Sequence, residues 1–478
     1  MLRKITTLMP FAMPICVHAD PSAGVLDFID SRYEQTAGLA RDLWEFAEVG
    51  YREVRSSALI REQLAAEGFE IESGVAGIPT AFVATFGSGA PVIAILAEYD
   101  ALPGINQDDV PVRSPIEGKA AGQACGHNLF GAGSVGAAIA VRHWLEETGK
   151  PGVIRLYGTP AEEGGSGKVY LVRDGAFDDV DVALHWHAAG QNWAGARTTL
   201  ANRSAKFRFR GVSAHAAGAP HKARSALDGV EAFNYMVNLM REHVPQETRI
   251  HYVITSGGSA PNVVPDFAEV FYYLRHPESE TVKKLWARLE QAALAAAQGT
   301  GVEVDWEIIH GNHPVLVNEA LQKMMDEKLR QVGGIVYDER EQAFADQLYS
   351  TLVDPSYELG SESEIQPYEV RLGYGSTDVG DVSITVPTGG LRIATWVPGT
   401  SAHSWQAVAA SGMSIGFKGA QVAAKALALS AIELFENAQL RIAAKAEFDE
   451  RRGEDFVYQP LLGDRDPPLD YRNQGLSQ

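Results

Sequence analysis

Three short, unbroken runs of apolar residues form the most regular pattern in the chain. They cover residues 92–97, 153–157 and 180–186, and each is flanked by Gly, Pro or Asp. Stretches with apolar positions at helical spacing precede and separate the runs, and residues 26–68 predict two amphipathic helices. Strands that are apolar throughout and alternate with helices are typical of a parallel sheet. The pattern therefore predicts an α/β fold with a mostly parallel sheet.

From about residue 201 the pattern changes to that of an α+β unit. Its predicted elements are strands at 206–210, 249–255 and 268–274 and helices at 225–242 and 279–299. The earlier pattern then resumes, with a helix at 318–332, a strand at 392–396 and a long helix from 416 to about 440. We predict a catalytic domain in two parts, residues 20–200 and 311–478, interrupted by a domain at 201–310. The tail after residue 447 is expected to be peripheral or loosely attached.

Polar residues with metal-binding chemistry follow each apolar run. The first run is followed by Glu98 and Asp100, the second by the pair Glu162-Glu163, and the third ends at His185 and His187. In open α/β sheets the functional crevice lies outside the carboxyl ends of the strands. These side chains are therefore expected to converge there, although they are far apart in sequence.

The stretch GQACGHNLFGAG (122–133) adds Cys125 and His127 to the same crevice. A mixture of sulfur, imidazole and carboxylate ligands suits Zn²⁺ or Mn²⁺, and two ions could share it. Gly126 allows a turn tight enough for both side chains to point at one place. His187 is favoured as a ligand, whereas His185 could be a buried structural histidine. The remaining histidines considered, which are expected at the surface, are His143, His243 and His276.

Length and charge narrow the possible functions. A chain of 478 residues exceeds what one hydrophobic core usually serves, which agrees with a multidomain architecture. The formal net charge of −20 argues against a nucleic-acid partner, because such binding rests on clustered Lys and Arg. No apolar run approaches the ~18 residues that a membrane span needs.

The N-terminal residues 1–19 have the pattern of an export signal. Arg3 and Lys4 precede an apolar run that ends in small residues. Pro10 and Pro14 interrupt the run, so a loosely ordered extension is the alternative. We expect a periplasmic or secreted protein if the signal is cleaved and a cytoplasmic one otherwise.

Several motifs together resemble the aminoacylase/carboxypeptidase metallopeptidase family, and within it the amidohydrolase branch. They span residues 97–405 in order, and they are AEYDALPG, GQACGHNLFGAG, GTPAEEGGSGK, GVSAHAAGAPHKARSALDGV, SGGSAPNVVP, STDVGDVS and PGTSAHSW. The resemblance implies a two-metal amidase with an inserted dimerisation or lid domain. It also implies two divalent ions per subunit, Mn or Zn, and a small N-acyl amino acid or dipeptide-like substrate with a free carboxylate, such as aminobenzoyl-glutamate.

The resemblance also implies individual roles for residues. The implied metal ligands are Cys125, His127, Glu163, His187 and His403, with the thiolate of Cys125 replacing a bridging carboxylate found in other branches. Glu162 is the implied general base. Glu98 stands where other branches have a metal-binding His, so Glu98 and Asp100 are expected to orient ligands only.

Three further roles are implied for the inserted domain, and all involve the substrate. His215 matches a histidine that stabilises the oxyanion in the active site of a dimer partner. Asn262 and Arg275 resemble substrate-binding positions, although Asn262 could be a turn former and Arg275 a surface charge. The expected partner is a second copy in a homodimer, and a paralogous companion subunit is open.

Two other functions use the same residues. In a cysteine hydrolase Cys125 would attack and His127 would act as its base, which leaves Glu163, His187 and His403 without a role. In a non-catalytic ligand-binding or regulatory protein on the same fold, the complete ligand set and Glu162 would have no use.

Overall fold

The structure is a computed structural model that describes residues 21–472, so the predicted export signal at 1–19 lies outside the described residues. The strands are β1 (Glu70–Ser73), β2 (Phe82–Ser88), β3 (Val92–Ala97), β4 (Leu102–Pro103), β5 (Ala121–Gly122), β6 (Gly152–Gly158), β7 (Val182–Ala189), β8 (Ala196–Thr198), β9 (Ala201–Arg210), β10 (Arg249–Ser256), β11 (Phe267–His276), β12 (Glu303–Asn312), β13 (Val370–Leu372) and β14 (Thr388–Ala394). The helices are α1 (Pro21–Ser31), α2 (Tyr33–Phe46), α3 (Val54–Ala66), α4 (His127–Thr148), α5 (Glu162–Gly165), α6 (Gly167–Arg173), α7 (Ala226–Met240), α8 (Ser279–Thr300), α9 (Glu319–Val332), α10 (Glu339–Tyr349), α11 (Val379–Ser383), α12 (Trp405–Ser411), α13 (Ser414–Glu436) and α14 (Ala438–Arg452).

A six-stranded sheet in the order β1-β2-β6-β3-β7-β14 organises the larger part of the molecule. Strands β6, β3, β7 and β14 are parallel, whereas β1 and β2 join antiparallel at one edge. The three apolar runs of the sequence become β3, β6 and β7. The prediction of an α/β fold with a mostly parallel sheet is confirmed.

Helices α4 and α13 pack against this sheet and against each other. Both are rich in small residues, which lets their backbones approach closely. At Gly133 an added Cβ would lie 2.9 Å from the carbonyl oxygen of Ala420 and 2.9 Å from the ring of Trp186. This contact fixes the start of α4, and therefore the position of Cys125 and His127, relative to the sheet.

Strands β9 to β12 form a separate four-stranded antiparallel sheet in the order β10-β11-β9-β12. Helices α7 and α8 pack against β9 and β11, and burial alternates along β11 as expected for a sheet covered on one face. Phe207, Phe233 and Trp286 belong to a core that is distinct from the larger one. The elements predicted for the α+β unit are therefore present.

Several sequence predictions differ from the structure. Residues 26–68 contribute to three helices rather than two, because the backbone at Arg32 leaves the helical region without a Gly or Pro to signal the break. Strands β1 and β2 and helix α10 were not predicted, although α10 begins with a capping box of Asp338 and Glu341. His276, expected at the surface, is only 5% exposed because β11 directs it inward.

The expectation of a loosely attached C-terminal tail is wrong. Beyond α14 the chain runs across both parts of the molecule, and Leu461 belongs to the smaller core while Leu462 belongs to the larger one. The hydroxyl of Tyr458 donates a hydrogen bond of 2.9 Å to Asp381. Among residues 21–472, none of the helices has the length and apolarity that crossing a bilayer requires.

Candidate metal centre

The carboxyl ends of β3, β6 and β7 bring the candidate ligands together. Cys125, His127 and His187 form one group, Cys125, Glu163 and His403 a second, and Glu98, His127 and Glu162 a third. Within each group the potential ligand atoms lie no more than 4.8 Å apart. Cys125 belongs to two groups and His127 to two, so the predicted ligands form one continuous cluster.

The backbone around Cys125 and His127 explains how a three-residue stretch supplies two side chains. Gly126 has a φ of 72°, in the left-handed region that glycine adopts readily. An added Cβ there would lie 2.6 Å from the Cβ of Ala188. The turn therefore requires glycine for its conformation and for its close approach to β7.

His403 enters the cluster from a loop between β14 and α12. Its backbone has a φ of 62°, uncommon for a residue other than glycine, and its N–H donates to the carbonyl of Ala124 at 2.9 Å. Its Nε2 lies 3.3 Å from Oε1 of Glu163. Strain at a residue held in this way is typical of a functional position.

Two buried carboxylates flank the imidazole of His127. Nδ1 lies 2.9 Å from Oδ1 of Asp100, and Nε2 lies 3.1 Å from Oε2 of Glu98. Burial by itself lowers the pKa of this imidazole, but the nearby Cys125 and the two carboxylates raise it well above its usual value. Asp100 also accepts a hydrogen bond from the backbone N–H of Glu163 at 2.9 Å, so one carboxylate orients two predicted ligands.

His187 presents a free nitrogen to the thiol. Its Nδ1 lies 2.8 Å from the carbonyl of Ala188, and a carbonyl accepts only from a protonated nitrogen. Nε2 therefore carries the lone pair, and it lies 3.6 Å from Sγ of Cys125. Burial and the nearby guanidinium of Arg392 hold the pKa of His187 well below its usual value, so the ring is the neutral imidazole that binds metals. His185 lies on the same face of β7, and burial lowers its pKa to about 3.

Glu162 lies among other carboxylates. Burial, together with Glu98 and Glu163, raises its pKa well above the usual value. Burial raises the pKa of the Cys125 thiol as well, and Glu163 adds to that rise. Both groups hold their protons more firmly than free side chains do, in the absence of a cation.

The turn that carries Glu162 and Glu163 is anchored by residues that sequence reasoning missed. Oε1 of Glu53 accepts from the N–H of Ala161 at 2.9 Å, and the hydroxyl of Tyr51 donates to the carbonyl of Gly165 at 2.7 Å. The carbonyl of Glu163 accepts from the hydroxyl of Tyr471 at 2.9 Å and also from Arg472. No local signal connects these residues with the turn, since the partners of each bond are separated by about 100 positions or more.

A buried lysine was also missed. Nζ of Lys168 lies 2.6 Å from Oε1 of Glu98 and 2.7 Å from Oδ1 of Asp378, and all three side chains are at most 1% exposed. The signal was present, because Lys168 ends the motif GTPAEEGGSGK and Asp378 lies in STDVGDVS. A lysine after a glycine-rich turn was not distinguishable from a surface charge by sequence alone.

The substrate-binding positions predicted in the inserted unit fall into two groups. Arg275 is half-buried on β11; burial lowers its pKa, while Tyr273 and Glu162 act in the opposite direction. His215 and Asn262 lie outside the protein interior, and the N–H of Ala216 donates to the carbonyl of Asn262 at 3.0 Å. Within the described part of this chain, the structure does not bring His215 or Asn262 to the cluster.

The cluster fits a pair of divalent ions by its donor set. Nε2 of His127 and Oε1 of Glu163 are buried, and the described residues give neither of them a hydrogen bond. Thiolate, imidazole and carboxylate are the ligands that Zn²⁺ accepts, and Asp100 behind His127 is the kind of carboxylate that commonly orients a metal-binding histidine. Divalent ions are therefore compatible with the residues present.

Comparison with known proteins gives matches over most of the chain. Peptidase family M20/M25/M40 matches residues 94–364. The chain is 37% identical over 436 residues to one of the subunits of the p-aminobenzoyl-glutamate hydrolase of Escherichia coli (strain K12), covering 86% of this chain and 91% of that protein. It is 30% identical over 440 residues to the Xaa-Arg dipeptidase of Mus musculus, covering 88% of this chain and 90% of that protein.

A solved structure supports the fold. A dinuclear metal-binding peptidase of the M20 family from Bacillus subtilis matches with a TM-score of 0.56 at 18% identity, covering 85% of this chain and 99% of that chain. The same family was indicated by the motifs that carry the candidate ligands.

Proposed function

This chain belongs to peptidase family M20/M25/M40 and is a metal-dependent amide hydrolase, and on that premise we propose how its residues act and what it cleaves. The substrate is a small N-acyl amino acid or dipeptide-like amide with a free carboxylate. Aminobenzoyl-glutamate is the nearest example, since the Escherichia coli relative is named for its hydrolysis. The observation that carries the proposal is the convergence of a thiol, three imidazoles and a carboxylate beside Glu162.

We assign the metal ligands as Cys125, His127, Glu163, His187 and His403, for two ions, Mn or Zn, per subunit. Cys125 bridges the two sites, because it is the member common to the groups containing His187 and Glu163. Glu98 and Asp100 orient His127 rather than acting as principal ligands. When bound, the ions polarise the substrate carbonyl and lower the pKa of water.

Glu162 acts as the general base in this proposal. It accepts a proton from the attacking water and passes it to the nitrogen of the leaving amine as the amide C–N bond breaks. Its raised pKa suits a group that must hold the proton between these two steps. The neighbouring carboxylates Glu98 and Glu163 favour that protonated form, because they repel a second negative charge.

A second copy of the chain would complete the site in a homodimer. The structure leaves His215 and Asn262 away from the cluster of their own chain, and the unit that carries them exposes apolar side chains on α7 and on the edge strand β10. Tyr235, Leu239 and Val253 are 66%, 54% and 56% exposed. Contact between two such faces would remove apolar area from water and place His215 of one copy to stabilise the oxyanion in the other.

Arg275 would hold the free carboxylate of the substrate near Glu162. A companion subunit is also proposed, because the Escherichia coli relative is named as one subunit of its hydrolase. The cysteine hydrolase is disfavoured because burial and Glu163 raise the pKa of Cys125, whereas a thiol nucleophile needs a lowered one. A regulatory protein without catalysis is the alternative, and it predicts no turnover of any amide.

The test uses the purified full chain. Metal analysis of the isolated protein is combined with hydrolysis of N-acyl amino acids, including aminobenzoyl-glutamate, with Mn²⁺ or Zn²⁺ added. We expect about two ions per chain, and we expect E162Q to keep the ions but lose at least ~100-fold in kcat. E147Q, at an exposed position of α4, is the matched control. Unchanged turnover in E162Q, or activity that persists after chelation, would refute the mechanism.

Export is proposed for the N-terminal segment. N-terminal sequencing of the protein from its native host tests it, and a mature chain that still begins at Met1 would contradict it.

A further inference from the structure

Two arginines without acidic partners lie beside His187. Arg197 on β8 and Arg392 on β14 both line a cleft of about 250 Å³ and a neighbouring cavity of about 70 Å³, and His187 lines both as well. Thr400 and Ser401, which closely precede His403 in the chain, form part of the cleft wall. The cleft therefore lies between two of the proposed metal ligands.

The strand register explains why Arg392 reaches this place. Arg392 is paired with His187 on the neighbouring parallel strand. Paired residues project from the same face of a sheet, and neighbouring strands lie about 4.8 Å apart. The guanidinium and the imidazole are therefore adjacent, and Arg392 contributes to the lowered pKa of His187.

Neither guanidinium forms an ion pair or a hydrogen bond with another side chain of residues 21–472. Arg371, paired with Arg197 in the register of β13 and β8, differs because it forms an ion pair with Glu369. Arg197 and Arg392 are half-buried and oppose each other electrostatically. The Nε of Arg197 would lie 2.4 Å from a Cβ at Gly373, so the arginine packs directly against the glycine backbone.

An uncompensated, half-buried pair of like charges costs stability unless an anion offsets it. The linings of the cleft and of the cavity contain no Asp or Glu among the described residues. The lack of acidic neighbours stands out in a chain with 61 acidic and 41 basic side chains. Planar guanidinium groups are well suited to bidentate recognition of a carboxylate.

We propose that Arg197 and Arg392 bind a carboxylate of the substrate, in a subsite beside His187. This inference rests on the proposed function and extends it. With Arg275 on the other side of the cluster as the second anchor, the preferred substrates are amides of dicarboxylic amino acids. One carboxylate occupies the subsite and the other meets Arg275.

The experiment combines a binding measurement with kinetics, in the metal-loaded full chain. Calorimetry with glutarate, a dicarboxylate that contains no amide bond, reports the subsite without turnover. Hydrolysis of N-benzoyl-glutamate and N-benzoyl-alanine reports selectivity. The variants are R392M and R197M, with R371M as the matched control, and R197M decides the matter if R392M does not fold.

We expect glutarate affinity, and kcat/KM for the glutamate substrate, to fall about 10–100-fold in R392M and R197M, mainly through KM. The alanine substrate should change less than about threefold, and R371M should resemble the unaltered protein. Equal losses for both substrates, or glutarate affinity unaffected by either substitution, would overturn the subsite. Arginine-dependent glutarate binding without hydrolysis of any amide would instead support the subsite and overturn the proposed function.

Discussion

Replacement of Asp100 by asparagine tests the idea that one buried carboxylate organises the metal ligands. Asp100 accepts from Nδ1 of His127 at 2.9 Å and from the N–H of Glu163 at 2.9 Å. Asparagine retains one acceptor oxygen, so its amide NH₂ must face one of these two donors. The substitution therefore removes a charge-assisted hydrogen bond and leaves a buried donor without an acceptor.

The size of the effect follows from two independent arguments. A hydrogen bond to a charged group contributes about 1.5–3 kcal/mol, which corresponds to about a 13- to 150-fold change in an equilibrium constant. Replacement of a residue that orients a metal ligand typically lowers metal affinity about 10–100-fold. We therefore expect D100N to bind Mn²⁺ or Zn²⁺ about 10–100-fold more weakly.

Competition with a chromophoric chelator measures this change directly, without reference to turnover. D109N is the matched control, because Asp109 pairs with Arg41 away from the cluster. If D100N binds metal within about twofold of the unaltered protein, the proposed orienting role of Asp100 is wrong.

Three further predictions concern stability and positioning. Burial raises the pKa of Asp381 to about 6 from an ordinary value of 3.8, so the folded state holds this proton more tightly than the unfolded chain. The free energy of unfolding should therefore fall by up to about 3 kcal/mol as pH rises from 4 to 7, and urea titrations should show that D381N loses this dependence. Y471F removes the hydrogen bond to the Glu163 carbonyl and should lower kcat by about 5-fold, from a loss of about 1 kcal/mol, with little change in KM; unchanged kcat would mean that the tail does not position this turn. Removal of metal should lower the melting temperature, since ions present at about 1,000 times their Kd contribute about 4 kcal/mol per site, and calorimetry with and without chelator should detect no shift only if the cluster binds no ion.

The parallel sheet was predictable from the sequence because its strands are apolar throughout. The runs at 92–97, 153–157 and 180–186 correspond to β3, β6 and β7, and polar residues at their ends are brought together by a general property of parallel sheets. The same reasoning placed Cys125 and His127 at that edge. Predictions that depended on one element and its immediate flanks therefore agreed with the structure.

Predictions that required a partner distant in sequence were missed. The partners of Tyr51, Lys168 and Tyr471 lie on other elements, and nothing in their local sequence identifies them. The C-terminal tail illustrates the cause. Its composition is polar, with scattered prolines, so its burial comes from tertiary contacts and not from periodicity.

The charge balance of the cluster connects these missed residues with its chemistry. The fold brings Glu98, Glu162, Glu163, Asp100 and Asp378 close together, with the buried Lys168 as a fixed counter-charge for two of them. One lysine cannot offset that many buried carboxylates, and like charges in a low-dielectric site repel strongly. In the isolated chain the imbalance is met by raised pKa values at Glu98 and Glu162. Divalent ions supply the missing positive charge and allow these groups to ionise, so the same arrangement that burdens the apo chain selects for metal and frees Glu162 to act as a base.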